Sequence, residues 1–294
     1  MDANQQQQFQ QAQRYVDQQD FQAAAPLLND LNQQVDDLAV HQLLVQTEYE
    51  LRHFAVAWHL IQEQPVPYQT QPNLQRLALS VAIANQQFIP ARKLAGQREA
   101  WLTEIEQAEQ VMRQSQQAML ATIERQFIHI GDQTFREQQR RFVAADQLPL
   151  TEFLRAAKFV LRDPYTNVLI RSSLFQVLSQ LMIAEPITML WLDDQEYVVT
   201  PAQVGDLFVH PTVQAINELL MHQYGDQDPV TLQMYQQEFY LQLTLLYPLI
   251  EQAIVDPKSW FLALTAYSQT DNDPQIQAAK DWQNRLGRLI NRLS

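Results

Sequence analysis

FQAAAPLL at residues 21–28, FAVAWHLI at 54–61 and FIPARKLA at 88–95 are one pattern written three times. Phe21, Phe54 and Phe88 are separated by 33 and 34 residues. In register with them stand Ala24, Ala57 and Ala91, then Leu27, Leu60 and Leu94, then Leu28, Ile61 and Ala95. Recurrence at a period of this size is the mark of a repeat architecture. Apolar residues three and four apart share one face of a helix. Each phenylalanine therefore opens a helix, and the small alanine one turn on lets a neighbour approach closely. Upstream of each runs a first apolar helix that ends near Gln19, Arg52 or Gln86. One such pair cannot bury its apolar face alone, whereas stacked pairs share a continuous core and leave a curved groove. The expectation is an α-hairpin solenoid over residues 5–98. Pro26, beyond the first turn of its helix, is expected to bend it.

The 34-residue period and the aromatic-x-x-alanine spacing resemble the tetratricopeptide repeat. The first unit has Ala12 and Tyr15 where that repeat places a small residue and a tyrosine; the second has Val45 and Glu48, the third Leu79 and Ala82. The glycine between the helices is missing in all three units. The resemblance implies that the first helices line the concave face, which puts Gln13, Asp17, Gln42, Gln46, Tyr49, Glu50, Asn73, Arg76 and Ser80 there as a surface for a protein or peptide partner. In chaperone-binding relatives a lysine and asparagine clamp holds a peptide carboxylate. This chain offers Phe9 and Gln13, Gln42 and Gln46, then Arg76 and Ser80, so a chaperone C-terminus is not the expected partner. The alternative is that these residues only solvate the groove, or that the rest of the chain fills it.

Composition narrows the rest. With 46% hydrophobic and 18% charged residues over 294 positions, a core forms. Only 5 glycines are present, which argues against glycine-rich phosphate loops and a many-turned β protein. The 48 glutamines keep helix surfaces polar at little cost in helix propensity. The absence of cysteine excludes disulfides, thiolate metal sites and cysteine nucleophiles. A formal charge of −13 argues against a general nucleic-acid binder, which needs clustered basic surface. Charge is uneven: net −6 over residues 1–90, +2 over 91–175 and −9 over 176–294. Arg136, Arg140 and Arg141, with Arg125 nearby, form the densest basic patch. It reads as a solvated helix face paired with the acidic flanks, or as a docking surface for an acidic partner, nucleic acid included. The N-terminus, MDANQQQQFQQAQRYV, lacks a basic region followed by an apolar run, and no stretch reaches the ~20 apolar residues of a membrane span. A cytoplasmic protein without a membrane span is expected.

No proline occurs between Pro90 and Pro149, and Gln97–Ile130 reads as one long helix. Ile105, Ala108, Met112, Ser115 and Met119 form its first stripe. Leu120, Ile123, Phe127 and Ile130 form a second, displaced by one residue, as when a helix leaves one partner and meets another. Gly131–Asp132 reads as a break. From Leu150 on, the dipeptides Asp228–Pro229, Asp256–Pro257 and Asp273–Pro274 should open helices, because aspartate accepts from first-turn amides and proline loses nothing at the first helical position. Ahead of them PITMLWLDDQEYVVTP, residues 186–201, reads as a β-hairpin that should pack on a helix; Trp191 and Tyr197 supply that contact, the favoured reading, or form an exposed recognition surface. The layout is a repeat domain over 1–98, a connecting helical segment over 99–147, and a helical C-terminal domain over 148–294 with a β-hairpin near 187–200. The fold class is mostly all-α. With LRAAKFVLRDP and IRSSLFQVLSQL ahead of the hairpin, the chain resembles tetratricopeptide-repeat-containing proteins of low-GC Gram-positive bacteria, a resemblance that implies no particular chemistry.

No catalytic motif is present: no HExxH among the six histidines, no GxSxG, no P-loop and no GxGxxG. His210, before Pro211, reads as a helix start. Asp193, Asp194 and Glu196 read as a solvated hairpin tip rather than a calcium site. Arg285, Arg288 and Arg292 complement the C-terminal helix dipole or touch an acidic surface. The expectation is a non-enzymatic adaptor with no cofactor and no metal, holding a partner segment on the repeat groove. A nucleic-acid contact through Arg125, Arg136, Arg140 and Arg141, and a small-ligand sensor or enzyme assembled only by folding, stay open as alternatives. A homo-oligomer stays open as well.

Overall fold

The computed structural model describes residues 1–265 and 273–291. These residues are mostly α-helical, with one two-stranded antiparallel hairpin. They divide into two compact units, one of residues 1–121 with 146–151 and one of 122–145 with 152–265 and 273–291.

In the first unit α1 (Ala3–Asp17) is followed by α2 (Phe21–Gln34), α3 (Leu38–Glu50) by α4 (Phe54–Glu63), and, after a short α5 (Pro65–Thr70), α6 (Pro72–Ala84) by α7 (Phe88–Ala95). The second helix of each pair starts on its phenylalanine. Ala24, Ala57 and Ala91 are buried completely, as a close helix crossing demands. First helices also touch one another, α1 against α3 and α3 against α6. One cluster of buried side chains runs from Ala12 through Leu28, Leu44 and Ile61 to Val81. The pairs therefore share one interior. α2 continues through Pro26 to Gln34.

The missing glycines have a structural counterpart. Gln19, Arg52 and Gln86 take the left-handed conformation, at φ of 60°, 61° and 59°. Each closes its first helix with the same pair of bonds: the Gln19 amide donates to Val16 and Asp20 to Tyr15, Arg52 to Tyr49 and His53 to Glu48, Gln86 to Ile83 and Gln87 to Ala82. This is the Schellman ending, which usually carries glycine because a Cβ is strained there. Arg52→Gly, on an exposed side chain, should raise the stability of the unit by about 0.5–1 kcal/mol, read as a higher urea midpoint; Arg52→Val should lower it.

α5 was not expected. It inserts Tyr68, 1% exposed, beside His41 on α3. The Tyr68 hydroxyl and His41 Nδ1 are 3.0 Å apart, and His41 Nε2 lies 3.1 Å from the Leu60 carbonyl. A neutral imidazole satisfies both, donating from Nε2 to Leu60 and accepting at Nδ1 from Tyr68. Burial lowers the His41 pKa accordingly and lifts that of the Tyr68 hydroxyl.

Gln97–Ile130 is not one helix. α8 (Glu99–Ser115) ends at Gln116, whose φ of −133° and ψ of 33° leave the helical region, and α9 (Gln117–Ile128) starts anew. The break falls beside the displaced stripe. A single straight helix cannot turn its apolar face by one residue, so the backbone does. α8 packs on α7 and is locked there by a buried ion pair: Arg92 Nε and Nη2 donate to the two oxygens of Glu109 at 2.8 and 3.0 Å.

Asp146 belongs to this unit and is half-buried. Desolvation pushes its carboxyl up to about 6, against the pull of Lys93. Its folded pKa exceeds its unfolded one, so its contribution to stability is present below about pH 4 and lost as pH rises to about 6. Asp146→Asn should therefore stabilise the unit at pH 7.5 by about 1–2 kcal/mol, with the gain vanishing near pH 4 in parallel thermal melts.

The second unit contains most of α9, then α10 (Phe135–Ala144), α11 (Leu150–Val160), which begins in the first unit, and α12 (Val168–Gln180). Phe127 stacks on Phe142 and Phe153 at 6.2 and 5.7 Å. Gly131 makes the expected break; a Cβ there would collide with the Asp163 carboxylate, which holds the turn over 163–166 through Tyr165 N and Thr166 Oγ1. The hairpin pairs β1 (Ile187–Leu190) with β2 (Glu196–Val199). It packs on helices through Trp191, whose Nε1 donates at 3.1 Å to Leu246 O, the end of the helix over 229–246. Ile187, Met189 and Trp191 are buried, Tyr197 is half-buried, and Leu190 N donates to Leu161 O just past α11. Four helices follow the expected punctuation. α13 (Pro211–Tyr224) opens after His210, α14 (Pro229–Leu246) after Asp228, α16 (Pro257–Leu264) after Asp256 and α17 (Pro274–Asn291) after Asp273. Pro248 separates α14 from the short α15 (Ile250–Ala253). Asp228 and Asp256 accept from the Thr231 and Ser259 amides, and both carboxyls lie below their ordinary value because those groups bond the ionised form. In α17, Ile276, Ala279 and Leu286 are buried; Arg292 and Leu293, assigned to its basic side and apolar stripe, lie outside the described residues.

Candidate functional site

The first-helix face of the repeat unit carries all nine residues expected at a groove. Gln13, Asp17, Gln46, Glu50, Asn73 and Arg76 are exposed; Gln42, Tyr49 and Ser80 are half-buried. Their positions follow from the helical period. Ala12, Leu44, Val45, Leu74 and Ala78 turn inward, and the polar residues beside them turn out. Among the described residues Gln13, Asp17, Gln42, Gln46, Glu50 and Asn73 make no side-chain hydrogen bond or ion pair within the chain.

The end of this face near α8 is different. Arg76 Nη1 and Nη2 donate to Glu104 of α8 at 2.6 and 3.1 Å. Hydrogen bonding to Glu104 raises the Arg76 pKa, and Tyr49 adds to it. Ser80 donates to the Arg76 carbonyl at 3.2 Å. α8 thus engages part of the expected surface, and the residues left without partners lie on α1, α3 and the start of α6. Asp17 and Glu50 give that remainder a negative character.

The basic patch is partly neutralised. Glu137 accepts from Arg140 at 2.8 Å through both oxygens and from Arg141 at 2.9 Å, and hydrogen bonding to the two arginines draws its carboxyl down to about 2. Arg141 also donates to the carbonyls of Gln126 and His129 near the end of α9, where a cation offsets the helix dipole. Arg125 and Arg136 are exposed. The sequence reading overlooked Glu137, although its spacing of three and four residues from the two arginines is the ion-pair spacing of a helix.

A cavity of about 480 Å³ in the second unit was not anticipated. Its wall includes Arg171 of α12, Arg285 and Arg288 of α17, and Trp191 and Asp194 of the hairpin. No group of three or more His, Asp or Glu residues is arranged to hold a metal ion among the described residues, and no described helix is long and apolar enough to cross a membrane. Comparison with family models, with curated proteins and with solved structures finds no match to this chain. The class rests on the chain itself: a mostly α-helical protein built on stacked helix pairs.

Proposed function

We propose that this protein is a non-enzymatic adaptor of tetratricopeptide-like architecture that holds an extended protein segment on the first-helix face of its N-terminal unit. The observation that carries this reading is the contrast on that unit. One interior runs continuously from Ala12 to Val81, while Gln13, Asp17, Gln42, Gln46, Glu50 and Asn73 present polar groups that no other described residue engages. Glutamine and asparagine amides supply one donor and one acceptor set each, which suits the main chain of an extended peptide. Asp17 and Glu50, with Arg76 already held by Glu104, favour a segment carrying lysine or arginine.

A photo-crosslinking residue at Gln46 tests this in the full chain. It should capture one recurrent partner, through a basic segment, from the native cytoplasm. The same probe at Gln62, exposed on α4, should not. Asp17→Arg with Glu50→Arg should abolish capture without changing the helical circular dichroism. Equal capture from both probe positions, or capture indifferent to the charge reversal, would count against the reading.

A further inference from the structure

The cavity of the second unit concentrates positive charge that no carboxylate among the described residues pairs with. Arg171 is only 5% exposed, and among the described residues no carboxylate lies within ion-pair distance of it. Its Nη1 donates to two backbone carbonyls, Asp163 O at 2.8 Å and Thr166 O at 3.1 Å. A buried cation held by neutral dipoles alone is costly unless a counter-charge arrives. Burial pulls the Arg171 pKa down, and only the more distant Asp163 and Asp194 pull it back.

Two further guanidinium groups face the same space. Arg285 donates to the Leu192 carbonyl and lies 5.3 Å over the ring of Trp282, which fixes its direction. Arg288, one turn on, is exposed and makes no bond to any described residue. α17 is held in place by Trp282 against Trp191, with ring centroids 5.4 Å apart, and by Gln283 donating to the Trp260 carbonyl at 3.0 Å. One carboxylate, Asp194, joins the wall from the hairpin turn, where its φ of 63° is left-handed. Tyr165, 77% exposed, offers a ring at the mouth.

We infer that this cavity binds a small phosphate ester bearing hydroxyl or amino groups, of the size of a nucleotide or a sugar phosphate. Three guanidinium groups from two helices approach from different directions. That suits a tetrahedral phosphate, whose oxygens accept around a sphere, better than a carboxylate, which takes a single planar fork. The lone Asp194 repels a bare phosphate but accepts from a ligand hydroxyl or amine. The volume lies within the range of small-molecule sites. The site is built only from residues of the second unit and does not depend on the adaptor reading.

Calorimetry on the full chain, at about 150 mM salt to screen loose surface association, with ATP, glucose 6-phosphate, inorganic pyrophosphate and citrate, tests the assignment. At least one of the two esters should bind one to one with a Kd below about 1 mM, and citrate at least about tenfold more weakly. Arg288→Ala removes a side chain with no structural bond, so the fold should persist while ester affinity falls about tenfold or more; Arg288→Glu should abolish it. Asp194→Ala should tighten pyrophosphate and weaken the ester, a crossing that a merely structural Asp194 would not produce. Absence of binding by both esters, citrate equal to the esters, or an affinity unmoved by both Arg288 substitutions would overturn the inference.

Discussion

Glu109→Ala is expected to cost the N-terminal unit about 3–5 kcal/mol. Glu109 is 2% exposed and its partner Arg92 8%, so removing the carboxylate leaves a guanidinium in the interior with only the exposed Glu106, 3.8 Å from Arg92 Nη2, to balance it. The loss is wider than one pair. Glu109 Oε1 also accepts the Leu150 amide at 3.2 Å, and Arg113 and Glu106 stand within 4 Å of the same cluster. One carboxylate therefore ties α7, α8 and the returning segment 146–151 together. Hydrogen exchange should show the amides of 88–95 and 99–115 losing protection together, ahead of those in α1 to α3. The double variant Arg92→Met, Glu109→Leu separates a buried-charge penalty from lost packing. It should recover most of the stability, because an apolar pair of similar volume carries no desolvation cost. A double variant as unstable as the single one would assign the effect to shape alone.

The same pair shows where sequence reasoning works and where it stops. Phe21, Phe54 and Phe88 marked helix starts because the signal is local: an aromatic, an alanine one turn on, then a leucine followed by a second apolar residue. Aspartate before proline marked α14, α16 and α17 for the same reason, since both residues act on the first turn they touch. The displaced stripe around residue 119 was visible too, but its consequence, the break at Gln116, depends on which neighbours each half meets. α5 escaped because six residues are too few to show a period, although proline at Pro65 is a helix-start residue and Tyr68 a large ring with no place in the repeat. The candidate site divides likewise. The polar face of α1, α3 and α6 follows from helical periodicity once the repeat is seen. Its closure by Glu104 does not, because the partner lies on another helix. Arg171 joins Arg285 and Arg288 from more than a hundred residues away, and no spacing rule reaches that far. The surviving clue was indirect: an arginine inside the stretch VLIRSSLFQVL, where every third or fourth neighbour is apolar, has to be buried.

Trp260→Ala should cost the second unit about 3–5 kcal/mol, the range for a large aromatic truncated in a packed core. Trp260 is the largest side chain buried without exposure, and α16, which carries it, packs against both α13 and α17. Its Nε1 donates to Gln242 Oε1 at 3.2 Å, on a glutamine that is itself 2% exposed. Truncation opens a cavity and strands that carbonyl oxygen. Trp260→Phe separates the two effects: it keeps most of the volume and should cost only about 1–3 kcal/mol, the penalty of an unsatisfied buried acceptor. Chemical unfolding followed by circular dichroism gives both numbers. The variants also bear on the cavity, because Trp260 supports the helix that brings Arg285 and Arg288 to it. Trp260→Ala should raise hydrogen exchange across 274–291 and weaken ester binding as a consequence of lost order. Arg288→Ala should weaken binding with exchange unchanged. If Trp260→Ala left α17 as protected as before, the helix would owe its position to Trp282 against Trp191, and the arginine wall would be anchored from the hairpin side.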